Sequence, residues 1–324
     1  MRFLGLLLLL VLSFCANVFL GSVSFPWSDF PDFLSDPTYQ TILLNLRLPE
    51  AIAACLVGAA LSVSGLQMQT LFGNPLASPS ILGITAGASL GAAAWVLLDI
   101  QSLNLGLETA SLLLMAVLGA FLVLGIIVVV ALRVRDRIGI LLIGIMLGNL
   151  TFALVSIGQY FSSAEQIQNF LFWSLGDLSG LSYSKLLWMG AVVVLGLVFA
   201  LALSKSLNAW LLGERYAQTL GISIRSSRLK IILLTGVLTG TVTAFVGPIS
   251  FVGLAVPHVA RMIINQNDHR VLQPAVMLMG AIFLLLCDTI AKVPGASIRL
   301  PLNAVTALLG SPIVIWVILR WRGR

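Results

Sequence analysis

Residues 112–132, LLLMAVLGAFLVLGIIVVVAL, contain no charged side chain over a length that crosses the hydrocarbon core of a bilayer as a helix. A second run of the same kind, LLWMGAVVVLGLVFALAL, covers residues 186–203. A transmembrane β-barrel instead has short segments in which hydrophobic and polar residues alternate. These long, continuous apolar runs therefore predict membrane-spanning helices.

The composition of the whole chain agrees with these two runs. The chain has 324 residues, of which 59% are hydrophobic and 9% charged, and its mean hydropathy is +1.06. A soluble domain has about a quarter charged residues, and its surface needs a polar cover that this composition does not supply. The composition argues against a soluble enzyme, a secreted disulfide scaffold and a disordered chain. It predicts an all-α polytopic membrane protein.

The length leaves room for about ten spans of about 20 residues each. The first apolar run, Met1–Leu20, resembles a signal peptide, but Phe14 before Cys15 argues against lipoprotein processing and no small-x-small cleavage site stands out. We therefore expect it to remain as the first span. The other predicted spans are 47–70, 80–98, 107–132, 138–160, 185–204, 229–246, 250–265, 273–291 and 302–319. A Pro/Asp-rich loop at 21–46 and polar stretches at 161–184 and 205–228 separate some of them.

The distribution of basic residues predicts the orientation of these spans. With the N-terminus in the cytoplasm, four of the 18 Lys and Arg residues face outward, and the others face the cytoplasm, as the positive-inside rule requires. The four outer residues are Arg47, Lys185, Lys292 and Arg299. We expect ten spans with the N- and C-termini both cytoplasmic.

A weak internal repeat predicts two halves of opposite topology. Gly58, Gly65 and Pro75 recur at an offset of 182 residues as Gly240, Gly247 and Pro257, although three matches in a Gly-rich chain can also arise by chance. Inverted repeats are common in transporters. We expect a single transmembrane domain over 1–324, with possible halves 47–160 and 229–319 and a cytoplasmic loop at 205–228.

The motifs for independent chemistry are missing from the sequence. It contains no G-x-x-x-x-G-K-[ST] phosphate-binding loop, and its only histidines are His258 and His269. Its three cysteines lie in apolar runs without metal-ligand spacing, and Asp288 is the main charge inside a predicted span. We expect no catalytic residue, cofactor or metal site, and energy supplied by a partner.

Two polar segments next to predicted spans indicate a functional role. Residues 65–79 and 247–261 combine Pro with amide, hydroxyl or imidazole side chains. The first is either non-helical backbone that lines a path or a capped turn between helices. In the second, one Pro breaks a turn and another kinks the following helix. The candidate residues of a translocation path or gate are Gln67, Gln69, Asn74, Asn149 and Ser250.

The same segments resemble the signatures of a known family. The N-terminal set is Arg47-Leu48-Pro49, Gly58-Ala59-Ala60-Leu61, Ser64-Gly65, Gln69, Asn74-Pro75-Leu76-Ala77-Ser78-Pro79, Leu82-Gly83-Ile84 and Gly87-Ala88. The C-terminal set is Gly247-Pro248-Ile249-Ser250-Phe251-Val252-Gly253-Leu254, Pro257-His258, Arg261, Asp268-His269-Arg270, Gly280-Ala281, Asp288, Leu300-Pro301 and Gly310-Ser311-Pro312. They are similar to the membrane permeases of ABC importers for vitamin B12, ferric siderophores and haem, the type II ABC importers.

The resemblance implies a ten-helix permease of the bacterial inner membrane that works by alternating access. Its expected partners are a second permease subunit, identical or paralogous, two cytoplasmic ATPases that bind the ATP, and a periplasmic or lipoprotein binding protein; membrane lipid surrounds it, and no nucleic acid is expected. The loop at 205–228 resembles the segment that couples the permease to the ATPase. Its candidate coupling residues are Glu214, Arg215, Tyr216, Leu220 and Gly221.

The resemblance also implies a docking site for the binding protein. Arg47 and Lys292 match basic positions of the family, whereas Glu50 stands where an Arg is usual. The expected contact is therefore lost, reversed in sign, or made instead by Arg299 or by the second permease subunit. Residues 74–84 look closer to the ferric-siderophore members, with vitamin B12 or haem as the alternative cargo. A self-sufficient secondary transporter or channel is the alternative of a different class.

Overall fold

The computed structural model of the chain describes residues 2–21, 36–97, 108–134, 136–294 and 298–321. Within these ranges the protein forms thirteen helices and no strand. The helices are α1 (Arg2–Phe19), α2 (Pro37–Phe72), α3 (Ile84–Leu97), α4 (Glu108–Arg133), α5 (Arg137–Phe161), α6 (Ala164–Ser174), α7 (Tyr183–Ala202), α8 (Ser204–Leu211), α9 (Glu214–Thr219), α10 (Ile224–Val246), α11 (Val252–Ile264), α12 (His269–Ala291) and α13 (Leu302–Trp321).

The ten predicted spans correspond one for one to ten of these helices. Seven helices are long and apolar enough to cross a membrane, and the shorter apolar helices α3, α11 and α13 account for the remaining spans. The three other helices, α6, α8 and α9, lie in the two stretches that the sequence marked as polar. The prediction of an all-α polytopic fold is thus confirmed. The cytoplasmic placement of both termini stays a prediction.

The starts of α2 and α10 show the largest differences from the predicted spans, and both were predicted too late. Helix α2 begins at Pro37 instead of residue 47, because the Asp36 carboxylate caps it at 2.7 Å from the Thr38 amide and a π-helical stretch, Ile42–Arg47, continues the helix. The predicted loop therefore ends at 36, and its residues 22–35 lie outside the described ranges. Helix α10 begins at Ile224 instead of 229, with Ser223 as its cap.

Helix α2 lies at the centre of the protein. In its most hydrophobic 18-residue stretch, 83% of the residues are buried within the protein, whereas the value is 22% for α1 and for α5. Two glycines let its neighbours approach closely: a Cβ on Gly58 would lie 2.1 Å from the carbonyl oxygen of Gly280 in α12, and one on Gly65 would lie 1.8 Å from that of Gly253 in α11. Small residues allow such backbone contact between membrane helices. The weakly buried helices leave large apolar faces for lipid or other chains.

The first polar segment forms a capped turn between helices. Helix α2 continues to Phe72, and Gly73 ends it in the left-handed region at φ 58°. Asn74 then stabilises the turn, because its Oδ1 accepts a hydrogen bond from the Leu76 amide at 2.9 Å. A 3₁₀ helix, Pro79–Leu82, leads into α3. Of the two interpretations of residues 65–79, the capped turn describes this chain.

The second polar segment joins α10 to α11. Gly247 ends α10 with φ 76°, Phe251 has φ 66°, and Pro257 lies inside α11. The repeat partners Gly65 and Pro75 lie inside the C-terminal part of α2 and in the turn after it. The paired positions of the proposed repeat thus occupy different places in their helices, and the repeat itself stays a prediction.

Candidate functional site

Four ionised side chains form a compact group between α2, the end of α12 and the segment before α13. We call Glu50, Asp288, Lys292 and Arg299 the ion cluster. Lys292 Nζ lies 3.0 Å from Glu50 Oε2 and 3.0 Å from Asp288 Oδ2. Arg299 Nη2 lies 2.8 Å from Asp288 Oδ1 and also pairs with Glu50 Oε1. Two cations and two carboxylates balance each other, which is the condition for keeping charges in a buried place.

Asn17 connects helix α1 to the ion cluster. Its Nδ2 donates to Asp288 Oδ2 at 2.8 Å and to the Leu285 carbonyl at 3.1 Å, and its Oδ1 accepts from Lys292 Nζ at 3.0 Å. Arg47 Nη1 donates to the carbonyl oxygens of the last α1 residues, Val18 and Phe19, at 3.1 and 2.9 Å. The sequence interpretation missed Asn17, although a lone amide in an apolar span is a recognisable sign of a buried polar contact. These contacts fasten the first span to the core.

The four candidate docking residues thus contact the chain itself. Arg47, Glu50 and Lys292 are buried at 6%, 5% and 7% exposure, and the Arg299 side chain is the most open of the four at 32%. Arg299 also lies 3.4 Å from Asp177, on the connection between α6 and α7. Burial lowers the pKa of Arg299, but the charges of Glu50, Asp288 and Asp177 raise it more, so the guanidinium stays charged. A docking role for these residues stays a prediction.

The candidate coupling residues lie on and after α9, and most of them face outward. Arg215, Tyr216, Leu220 and Gly221 are exposed, whereas Ala217 on the opposite face of α9 is fully buried. Gly213 before α9 has φ 95° and Gly221 after it has φ 78°, values that favour glycine. The α9 segment therefore exposes a polar and aromatic face, while Ala217 on its other face packs against the rest of the chain.

Glu214 fixes α9 to its neighbours. Its Oε1 accepts a hydrogen bond from Arg137 Nε at 2.7 Å and lies 3.5 Å from Arg228 Nη2. The Arg137 guanidinium also stacks over the Trp210 ring of α8, 4.8 Å from its centroid. This candidate coupling residue thus holds α9 against α5, α8 and α10 while the rest of the segment remains accessible.

A polar chain connects α8 with α12 and α2. Asn208 Oδ1 accepts hydrogen bonds from the His269 amide at 2.8 Å and lies 2.9 Å from His269 Nδ1, and His269 Nε2 lies 2.9 Å from Thr70 Oγ1. Asp268 caps α12: the Arg270 amide at 2.9 Å and Asn208 Nδ2 at 2.6 Å hold the pKa of its carboxyl below the usual range. His269 and Asp268 belong to the family signature, but no sequence pattern predicted this chain of contacts.

The five path candidates separate into three groups. Gln67 and Gln69 are buried in α2: Gln67 bonds Thr235 and Gln273, and Gln69 Oε1 accepts from Arg261 Nη1 at 2.7 Å. Asn74 forms the turn described above. Asn149 is exposed on α5, and Ser250 is exposed before α11 with its amide bonded to Asn303 Oδ1 at 3.0 Å. The described structure of one chain does not bring the five together, and their role in a path stays a prediction.

Comparison with known proteins places this arrangement among transport proteins. Residues 8–320 match the FecCD transport family. The chain is 37% identical over 320 residues to the vitamin B12 import system permease protein BtuC of Klebsiella pneumoniae subsp. pneumoniae. The aligned region covers 99% of this chain and 94% of that protein. It is also 37% identical over 319 residues to BtuC of Salmonella typhi, with 98% and 94% covered.

A solved structure shares the same fold. The chain superposes with a TM-score of 0.87 and 31% identity on a putative metal-chelate type ABC transporter in an inward-facing conformation, and 98% of each chain is covered. The ten-span fold is therefore that of an ABC importer permease, a multi-pass protein of the inner membrane. The chain belongs to the FecCD transport family, and it is a transport subunit of the kind that works with ATPase and substrate-binding partners.

Proposed function

We propose that this chain is the translocation subunit of an ATP-driven importer for a metal ion held in a large organic chelate. The observation that carries the proposal is the similarity to import permeases over 99% of the chain. In this proposal the chain has no ATPase site of its own, two copies or two paralogues form the path, and separate ATPases and a binding protein complete the assembly.

Vitamin B12 is the first candidate cargo, because the vitamin B12 permeases named above match the chain from end to end. A ferric siderophore is the second candidate, because residues 74–84 resemble the siderophore members and because the structural relative is described as a metal-chelate transporter. Both cargoes are large and already wrapped in organic ligand, so they need no ring of charged side chains in the path.

The exposed face of α9 supports a coupling role for Arg215, Tyr216 and Leu220. When ATP draws the two ATPases together, the docked segment moves with them, and the contacts of Asn208 with His269 and of His269 with Thr70 pass this movement to α12 and α2. Rigid tilts of packed helices then change the side on which the path is open. Glu214 keeps α9 in place during this step.

Uptake by proteoliposomes tests the proposal. We expect the permease, reconstituted with its cognate ATPase and binding protein, to accumulate radiolabelled cyanocobalamin, a ferric hydroxamate siderophore or haem, but only with ATP. A hydrolysis-deficient ATPase is the control. Accumulation at full rate without ATPase or binding protein contradicts the proposal and favours a secondary transporter. Comparing the three cargoes identifies the chelate, because only the cargo that the binding protein delivers accumulates.

A further inference from the structure

A basic cavity lies beside the candidate coupling segment. It has a volume of about 730 Å³ and is bounded by the C-terminal end of α4, by α9 and by the first turn of α10. Among the described residues that line it, Arg133, Arg225 and Arg228 are basic and Glu214 is acidic. The function proposed above assigns no role to this cavity.

The carboxylate of Glu214 does not neutralise the three arginines. Its Oε1 is already shared between Arg137 at 2.7 Å and Arg228 at 3.5 Å. The Arg228 side chain is only 7% exposed; its Nη1 donates to the Val134 carbonyl at 3.1 Å, but its Nε has no acceptor among the residues that the structure describes. The buried Nε without an acceptor, together with three arginines and one carboxylate in the lining, favours a further anionic partner.

The backbone around the cavity also favours an anion. Ser223, Ile224 and Arg225, which form the N-terminal turn of α10, line the cavity, and the amides at the start of a helix carry partial positive charge. Leu132 lines the same cavity and is 41% exposed, so an apolar surface adjoins the basic one. The cavity therefore offers both kinds of contact that a lipid headgroup with its glycerol backbone requires.

We propose that this cavity binds a phosphate group, supplied by an anionic phospholipid at the membrane surface where α4 ends and α10 begins. Basic pockets between membrane helices are known to take the headgroups of anionic lipids. A phosphate held by Arg133, Arg225 and the first turn of α10 links α4 to α10 beside α9, and so limits the movement of the coupling segment. The inference goes beyond transport and does not depend on the identity of the cargo.

Native mass spectrometry of the full chain in neutral detergent tests the site. Phosphatidylglycerol and zwitterionic phosphatidylcholine are added separately, and the fraction of lipid-bound protein is measured for each. Arg133→Gln/Arg225→Gln removes two exposed side chains, so the fold is retained. We expect this variant to bind phosphatidylglycerol roughly tenfold or more weakly, because each basic residue near an anionic headgroup strengthens its attraction. The exposed Arg270 does not line the cavity, so Arg270→Gln is the matched control and should bind as the unsubstituted chain does.

Competition with inorganic phosphate at constant ionic strength distinguishes the sources of the anion. Displacement of phosphatidylglycerol supports the phosphate site and adds free phosphate as a ligand, and lack of displacement supports the lipid as the source. Equal binding of phosphatidylglycerol to the unsubstituted chain and the double variant overturns the inference, as does an equal loss in Arg270→Gln. Unchanged lipid binding with loss of ATPase assembly in the double variant also overturns it, in favour of an acidic side chain of the ATPase.

Discussion

At the scale of single residues, Glu50 shows how burial sets the charge that a position needs. The resemblance to the permease family implies an Arg at this position, but here the side chain lies between Lys292 and Arg299, which are both cationic. A third cation there would leave Asp288 as the only carboxylate of the cluster. The glutamate instead makes the cluster neutral, which explains why a substitution that removes a basic residue fits this chain.

A double-substitution cycle tests the buried pair. We expect Glu50→Gln and Lys292→Gln each to lower the free energy of unfolding by about 3 kcal/mol, because each leaves an excess charge in a buried cluster. The double variant leaves Asp288 paired with Arg299. Its loss of unfolding free energy should therefore be smaller than the sum of the losses in the two single variants by at least about 1 kcal/mol. Thermal unfolding in detergent measures the stability of the unsubstituted chain, the two single variants and the double variant.

The same cycle separates a structural from a docking role. If Lys292 acted only in docking, Lys292→Gln would leave the unfolding temperature unchanged and weaken binding-protein affinity alone. That pattern contradicts the structural role assigned to the ion cluster.

At the scale of helices, α2 depends on glycine at its crossings with α11 and α12. No side chain fits at Gly65, because its Cβ would lie 1.8 Å from a backbone oxygen that cannot move without shifting α11. Helix α4 contains Gly125, whose Cβ would meet nothing within 4 Å. Two glycines in apolar helices therefore have opposite tolerance to a side chain, and the difference lies in what packs against them.

Alanine substitution at these two glycines measures that difference. We expect Gly65→Ala to destabilise the protein by at least about 2 kcal/mol through overpacking. Gly125→Ala should be neutral or stabilising by up to about 1 kcal/mol, because alanine favours the helix more than glycine does. The unfolding temperature and the yield of monodisperse protein report the result. Equal effects at the two positions contradict the helix contacts described here.

The short helix α9 gives a second test at this scale. Glu214→Gln removes the ion pairs with Arg137 and Arg228, and α9 should lose its fixed position. Because Glu214 is partly exposed, we expect a stability change within about 1 kcal/mol, but a several-fold loss of ATP-dependent uptake. Glu165→Gln on α6 makes the same chemical change at an exposed site and is the control. Unchanged uptake in Glu214→Gln would place the coupling contact elsewhere.

At the scale of the whole molecule, few charged side chains lie within or at the ends of the spans. Those of the ion cluster neutralise one another. Most of the 18 basic residues belong to segments predicted to be cytoplasmic: the connections from α4 to α5 and from α11 to α12, the stretch from α8 to the start of α10, and the two ends of the chain. The basic cavity is lined by residues of these segments, whereas the ion cluster contains Lys292 and Arg299, two of the four basic residues predicted to face outward. The ion cluster joins helices, and we propose that the exposed basic residues of the predicted cytoplasmic segments meet partners.

Reporter fusions test the orientation that follows from these charges. Green fluorescent protein fused after Arg324 should fluoresce, and alkaline phosphatase fused there should be inactive, because the C-terminus is predicted to be cytoplasmic. Fusion at Gly180, in the connection between α6 and α7, should give the opposite pair of results. The same result at both positions contradicts the count of five spans between them.

The sequence predicted the number and order of the spans, because hydropathy over about 20 consecutive residues is a local property. It also predicted two polar loops and the exposed candidates in and after α9. It did not predict that Asn17 bonds Asp288, 271 residues away, or that Arg47, Glu50 and Lys292 are buried. No local pattern indicates which charged residue at a helix end meets another, since that depends on how distant helices pack.

The sequence by itself thus determined that this protein is a helical membrane protein with about ten spans, because long apolar segments that enter lipid must satisfy their backbone groups within helices. Only the tertiary structure decided what the charged residues do. Packing α1 and α12 against α2 brings four charges into one neutral cluster, and the meeting of the end of α4 with α9 and the start of α10 gathers three arginines around one cavity. Electrostatic energy depends on distance and burial, and both are properties of the folded chain.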